Sequence, residues 1–457
     1  MTRRPVASII AVFALGVSLT LAPQAGLAAT AAQAGSPATS GLTLAEALAE
    51  ALTRNPQVAA AQQAVAAAQQ GIVVAQAGFA PTVSADGTGT YGTASGGTFA
   101  SGSSAPLANL TGTGSVSLTA NLPLYDGGRT RAAVETARAT LASAEAALRQ
   151  TTQDTALSVA TAFFSVLQAE QLTTVQEALL AQAQAQLALS QAQVRAGVAA
   201  QSDVIQVQAQ VAQAQVNLLQ ARSQIATSKA GLQGAIGVDA ATPVEVQVPP
   251  PPPLAVSVAA DAAMQSAEAN RPEVAKAQAA VASDQAALDL AHIAAGPQVD
   301  VGVGATYTPL STSQVLNNST TYGVTATVSL PLYDAGKGRA EIAGAEATLH
   351  AAQAQLAAAR LSVRQDAYQS YLTAVQDAAA VTATEAARAA ADEALRVVEG
   401  RYRAGVGTIV EVVTARATAA QADVNAVTAQ YTYQTALATL QHAVGMPIQG
   451  STPGGSQ

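Results

Sequence analysis

The chain contains the same series of landmarks twice, and this internal duplication limits its possible folds more than any other feature. The segment Leu-Pro-Leu-Tyr-Asp at 122–126 recurs at 330–334, and Arg-Ala-Gly-Val at 195–198 recurs at 403–406 with the same offset. Pro56 and Pro272 form an earlier pair with a larger offset, so the first copy carries a short insertion before residue 122. The protein is therefore expected to consist of two copies of one structural unit.

Each copy is predicted to begin with a helix, continue with two strands, and end with a long and a shorter helix. Thr43 is the predicted N-cap of the first helix, over 43–76, and Glu46 completes a capping box. The long helices are predicted at 129–194 and 339–402, and the shorter ones at 202–235 and 408–443. A long helix has about as many residues as the opening and closing helices of its copy together. Two short helices stacked end to end would therefore match one long helix in an antiparallel layer.

Four segments alternate between apolar and polar residues, which is typical of strands with one face in an apolar medium. They lie at 82–91, 116–122, 299–305 and 324–330. At roughly ten residues, each has the length of a tilted strand that crosses a membrane. Four strands are too few to close a barrel, so a closed sheet must be shared between chains. Three chains would supply about twelve strands and leave room for a pore.

Composition supports long, closely packed helices and excludes several functions. Charged residues make up 11% of the chain, and Ala and Gln, both good helix formers, dominate long stretches. There is no Cys, which excludes disulfides and thiol catalysis. The formal net charge is −8 without a basic patch, so no nucleic-acid partner is expected.

The first residues are typical of a signal peptide. Arg3 and Arg4 precede an apolar run, and small-residue cleavage sites end at Ala28 and, as an alternative, at Ala34. We predict a signal peptide at 1–28, a disordered segment at 29–41, a first repeat at 42–238, a Pro-rich linker at 239–258, a second repeat at 259–446 and a disordered tail at 447–457.

Together these motifs resemble the TolC-like outer-membrane efflux protein family. The resemblance rests on Asn-Pro at 55–56, on Leu-Pro-Leu-Tyr-Asp at 122–126 and 330–334, and on the two Arg-Ala-Gly-Val turns, and it covers about 42–446. It implies a mostly α-helical chain with a β-barrel portion. Long antiparallel coiled-coil helices would form a periplasmic tunnel, and four strands per chain would enter a twelve-stranded barrel of a homotrimer in outer-membrane lipid of a Gram-negative bacterium.

The resemblance also implies a function. The chain would be the passive exit duct of a tripartite pump for small molecules, docked to a periplasmic adaptor (membrane fusion protein) and an inner-membrane RND or ABC transporter. A type I protein secretion duct is an alternative within the same class. A periplasmic coiled-coil adaptor without a pore is an alternative from another class, but the duplicated strands argue against it. The sequence contains no catalytic constellation and no metal-ligand spacing, so we expect neither an enzyme nor a cofactor.

The resemblance assigns roles to three sets of residues. It implies that the two helical turns form the periplasmic mouth that adaptors grip, which involves Arg195, Gly197, Val198, Arg403, Gly405 and Val406. It places a gate at Asp203 and Tyr402, joined by a hydrogen bond, and an acidic constriction at Glu411. Tyr125 and Tyr333 follow strands and are predicted to lie at the membrane interface.

Overall fold

The computed structural model describes residues 41–94, 109–197, 200–256, 258–294, 296–312 and 315–448. The predicted signal peptide, most of the segment after it and nearly all of the predicted tail lie outside the described residues. Residues 95–108, between the first two strands, also lie outside the described residues. Within the described part, no helix combines the length and the apolar character that a membrane span requires.

The described chain is mostly helical. Its eight α-helices are α1 (Leu44–Arg54), α2 (Pro56–Gln76), α3 (Arg129–Arg195), α4 (Gln201–Ile236), α5 (Ala260–Asn270), α6 (Pro272–Ala294), α7 (Lys337–Arg403) and α8 (Ile409–Val444). Helices α3 and α7 have 67 residues each, and α4 and α8 have 36 each. At about 1.5 Å per residue, each long helix extends for roughly 100 Å. The duplication seen in the sequence is therefore also a duplication of structure.

The first predicted helix is wrong in one respect, because 43–76 forms two helices. The capping box at Thr43 and Glu46 is confirmed, with the Thr43 N–H donating to Glu46 Oε2 at 2.9 Å. Helix α1 ends at Arg54, and the next residue, Asn55, has an extended backbone because the ring of Pro56 disfavours helical geometry in the residue before it. The Asn55 side chain then caps α2 by accepting the Gln57 N–H at 2.8 Å, and it donates to the Ala235 carbonyl at 3.0 Å.

The four strands form one antiparallel sheet in the order β1-β2-β3-β4. They are β1 (Thr82–Ala94), β2 (Asn109–Tyr125), β3 (Gln298–Thr312) and β4 (Val315–Ser329). Each is longer than the ten residues predicted, because the Gly- and Thr-rich flanks also pair with their neighbours. Strand β2 pairs with β3, which joins the two repeats, while β1 and β4 are the edges of the described sheet.

The largest cluster of buried apolar side chains lies where α1 packs on the middle of α3. Leu48, Phe163 and Leu167 are fully buried there, and the rings of Phe163 and Phe164 meet edge to face at 6.0 Å. The equivalent helix of the second repeat, α5, packs through Ala263 against Ala374 of α7. This core lies midway along the long helices and holds the two repeats together. The strand-to-helix junctions and the helical turns lie at the ends of the long helices, away from this core.

Candidate functional site at the helical turns

The first turn joins α3 to α4 around Gly197, whose φ is 77°. That left-handed conformation suits glycine, and the Gly197 N–H donates to the Val194 carbonyl at 3.0 Å. Arg195 is exposed and its Nε donates to the Gln191 carbonyl of its own helix at 3.3 Å. Val198 lies outside the described residues. The predicted turn is therefore present at Gly197.

The second turn repeats this geometry between α7 and α8. Gly405 has a φ of 75°, and its N–H donates to the Tyr402 carbonyl at 3.0 Å. Val406 follows with 68% of its surface exposed. Arg403 donates to Glu399 of its own helix at 3.1 Å. Both turns thus present an exposed arginine, and the second also presents an apolar side chain.

Tyr402 has a partner that the sequence did not predict. Its hydroxyl donates to Oε1 of Gln193, on α3, at 2.9 Å. The expected partner, Asp203, instead accepts a hydrogen bond from the neighbouring Ser202 hydroxyl at 3.3 Å. The single chain therefore has Tyr402 bonded to Gln193 and not to the predicted partner Asp203. The tyrosine still joins the two repeats, since Gln193 belongs to the first.

Glu411 lies in the first turn of α8 and faces a positive charge. Its Oε2 is 3.5 Å from Nη1 of Arg401, and its N–H donates to the hydroxyl of the N-cap Thr408 at 3.3 Å. The ion pair is long and the side chains are 42% and 52% exposed, so the interaction is weak. The carboxylate predicted to form an acidic constriction is therefore partly compensated by a cation of its own chain.

A tighter ion-pair network stabilises the base of the second turn. Glu399 accepts from Nη2 of Arg416 at 2.7 Å and from Nε at 3.1 Å, and its other oxygen accepts from Arg403. Glu399 and Arg416 are only 23% and 24% exposed, so this bond is less screened than a surface pair. It ties α7 to α8 across the turn.

The junction between each strand pair and its long helix is built by an aspartate. Asp126 accepts the N–H groups of Gly128 and Thr130 at 2.9 and 2.7 Å, and Asp334 accepts those of Gly336 and Gly338 at 3.0 and 2.6 Å. Burial alone would raise the pKa of Asp126, but the hydrogen bonds lower it overall. Backbone hydrogen bonds likewise lower the pKa of Asp334.

Tyr125 and Tyr333 immediately precede these aspartates. Their side chains are 54% and 88% exposed within the single chain, as expected of residues that meet another medium or another molecule. Their place at a membrane interface stays a prediction.

Among the described residues, no group of three or more His, Asp or Glu side chains is placed to hold a metal ion. His350 lies 3.3 Å from Gln353, and His442 lies 2.8 Å from Asp154. The second pair joins α8 to α3 and so links the two repeats.

Sequence reasoning missed Gln193, Arg401 and the Glu399–Arg416 pair. The spacing of Glu399 and Arg403 could have indicated an ion pair within α7. Nothing in the sequence could have indicated Gln193, because its contact depends on how two distant helices are aligned.

A family model described as "Outer membrane efflux protein" matches residues 47–238 and 263–446. No curated protein matches the sequence significantly. The solved structures of CusC are similar, with 18% identity over 88% of this chain and 92% of that one, and a TM-score of 0.75. VceC of Vibrio cholerae shares 19% identity over 89% and 97%, with a TM-score of 0.73. The CmeC channel of Campylobacter jejuni shares 12% identity over 92% and 91%, with a TM-score of 0.74.

Proposed function

Because the chain belongs to the outer membrane efflux protein family, we propose that three copies of it form a passive exit duct for small molecules. Members of the family are non-enzymatic outer-membrane channels with a periplasmic tunnel, and they work with adaptors and inner-membrane pumps. In the proposed assembly the four strands of each copy join one barrel, and α3, α4, α7 and α8 line the tunnel below it.

The observation that carries the proposal is the open sheet. Within the described residues β1 and β4 each have one neighbouring strand, so their outer edges carry backbone N–H and C=O groups without a strand partner. Such edges invite pairing with another chain, and inside lipid they must be paired. A second copy offers a matching edge, since its β4 can pair with β1 of the first. Repeating this contact around a closed ring satisfies every edge.

Helix α7 supplies a second argument for association. Leu361, Tyr368, Leu372 and Val375 recur at helical spacing along one face, and between 41% and 70% of each is exposed. A continuous apolar stripe of this kind marks a protein interface. The stripe and the sheet edges both require another molecule, and a further copy of this chain satisfies both.

Mass measurement of the protein in detergent tests the assembly. We expect three chains for the wild type and a shift towards single chains in Leu372→Asp, which places a charge in the apolar stripe. Gln355→Asp is the matched control, because it adds the same charge to an exposed position of α7 away from the stripe. A wild-type protein that is monomeric and inserted in a membrane would contradict the proposal.

Adaptor docking is proposed at the two turns, where exposed arginines and Val406 surround a left-handed glycine. Gly405→Val should strain the turn, because a β-branched side chain disfavours a positive φ. We expect normal assembly in the membrane but reduced export and reduced crosslinking to the adaptor. Gly344→Val, within α7 and far from the turn, is the control. Normal export by Gly405→Val would argue against docking at this turn.

A further inference from the structure

A cavity of about 640 Å³ lies between α7 and α8, and Gln168 of α3 forms part of its margin. Two carboxylates of α7, Asp366 and Asp377, line it. They are three helical turns apart, which separates their backbone positions by about 16 Å. Ser370 and Thr373 lie between them on the wall. The cavity is therefore long, with an acidic group towards each end and hydroxyl groups between.

Neither carboxylate forms an ion pair with a described residue. The two basic side chains on the cavity wall each have an acidic neighbour outside the cavity. Nη2 of Arg271 lies 2.6 Å from Oε1 of Glu273. Nε2 of His442 lies 2.8 Å from Oδ1 of Asp154. Burial raises the pKa of Asp377, as expected of a carboxylate without a cationic partner. The cavity thus has uncompensated negative charge.

Tyr431 gives an independent indication of a ligand. It lines the cavity although only 4% of its surface is exposed, and its hydroxyl has no hydrogen-bond partner among the described residues. Burial, together with the charge of Glu170, raises the pKa of this hydroxyl, so it stays neutral and can donate or accept a hydrogen bond. The hydroxyl oxygen is not fully enclosed by the protein, so it can form a hydrogen bond with a molecule in the cavity. A ligand that donates a hydrogen bond would satisfy it.

The internal duplication supplies a comparison within the same chain. The first repeat has an equivalent groove, of about 890 Å³, lined by the corresponding parts of α3 and α4. The positions equivalent to Asp366, Asp377 and Tyr431 are Ser158, Ala169 and Ser223. The fold therefore forms such a groove without these three side chains. Their presence in the second repeat is a property of that cavity and not a requirement of helix packing.

We infer that the cavity of the second repeat binds an elongated organic polyamine, with its amine groups at the two carboxylates and near Tyr431. The amine groups at the two ends of such a ligand can donate hydrogen bonds to Asp366 and Asp377. The chain that connects them would lie along the cavity wall, between the hydroxyl groups. A metal ion fits less well, because no described group of three ligating side chains surrounds it. The inference rests on the proposed function, in which the cavity would lie along the exit route and select cationic solutes.

Calorimetric titration of the full-length trimer in detergent with spermine tests the site. We expect saturable binding to the wild type, and a dissociation constant raised about tenfold in Asp366→Asn and in Asp377→Asn, the effect of losing about one charge-assisted hydrogen bond. Tyr431→Phe should weaken binding by about fivefold, as expected for a neutral hydrogen bond. Glu385→Gln is the matched control, because it removes an exposed carboxylate of α7 outside the cavity, and it should bind like the wild type.

Three results would overturn the inference: no binding to the wild type, an equal loss in Glu385→Gln, or full displacement of spermine by Mg²⁺ at equal charge concentration. The last two would show general attraction to an acidic surface. Conductance of the same preparation in a planar bilayer separates this inference from the proposed function. Channels that conduct without binding spermine refute the polyamine site alone, whereas a trimer that does not conduct refutes the duct.

Discussion

The Tyr402 hydroxyl donates a hydrogen bond of 2.9 Å to the Gln193 side chain, and this bond joins the last turns of the two long helices. Tyr402 is on α7 of the second repeat and Gln193 is on α3 of the first, so the bond ties one helical hairpin to the other beside the turns. Three such bonds in a trimer would resist separation of the hairpins. Each contributes about 0.5–1.5 kcal/mol, which adaptor contacts could overcome.

We predict that Tyr402→Phe and Gln193→Ala both raise single-channel conductance and sensitivity to large antibiotics, because each deletes one partner of the bond. The double variant should be no worse than either single one, since both remove the same interaction. Asp203→Ala is the control and should conduct like the wild type. If conductance rises in Asp203→Ala but not in Gln193→Ala, the tyrosine bonds the aspartate in the assembled channel instead.

Arg401 should reduce the cation selectivity of the mouth. It lies 3.5 Å from Glu411, which we propose to form an acidic constriction in the trimer. Arg401→Gln would release three carboxylates from their partners and raise the preference for cations, whereas Glu411→Gln should lower it. Reversal potentials in a salt gradient measure both effects. Arg396→Gln removes a cation of the same helix that pairs with Glu393, and it should change selectivity less than Arg401→Gln.

We expect the exchange of Gly and Ala to change the stability of the protein in opposite directions at the two strand-to-helix junctions. Ala335 has a φ of 55°, and the equivalent Gly127 has a φ of 66°. Because a side chain is disfavoured in this region, Ala335→Gly should stabilise the protein by up to about 1 kcal/mol. Gly127→Ala should destabilise it by about 1–2 kcal/mol, since its new Cβ would also lie 3.1 Å from Ile293. Thermal unfolding of the detergent-solubilised protein measures the stability of both variants. Unfolding midpoints equal to that of the wild type would contradict the expected effect of the positive φ.

The same junctions predict sensitivity to acid. Hydrogen bonds lower the pKa of Asp126 and Asp334 in the folded chain, so the stability that they contribute is present above the unfolded pKa, near 4. It is lost as the pH falls through the folded values. Combining Asp126→Asn with Asp334→Asn removes this contribution, so the variant should lose less stability than the wild type between about pH 5 and 2. Parallel unfolding midpoints over that range would show that other groups control acid stability.

The sequence by itself determined the repeated unit and its long helices. Helix α3 ends at Arg195 and α7 at Arg403, within a residue of the predicted ends, because a glycine follows each helix at the turn. The capping box at Thr43 and the alternation of the strands were also readable, since both are local patterns. The break at Asn55 is also a local effect, because Pro56 disfavours helical geometry in the residue before it.

The tertiary structure decided which side chains meet across the repeats. Tyr402 was expected to bond Asp203 but bonds Gln193 in the single chain, because the packing of the two repeats places Gln193 within reach of the tyrosine hydroxyl. Glu411, predicted to form an acidic constriction, faces Arg401 because the turn at Gly405 returns α8 beside α7. The cavity with Asp366, Asp377 and Tyr431 likewise exists only where two helices meet. Helix periodicity fixes the face on which a residue lies, whereas packing of the two repeats selects the residue opposite it.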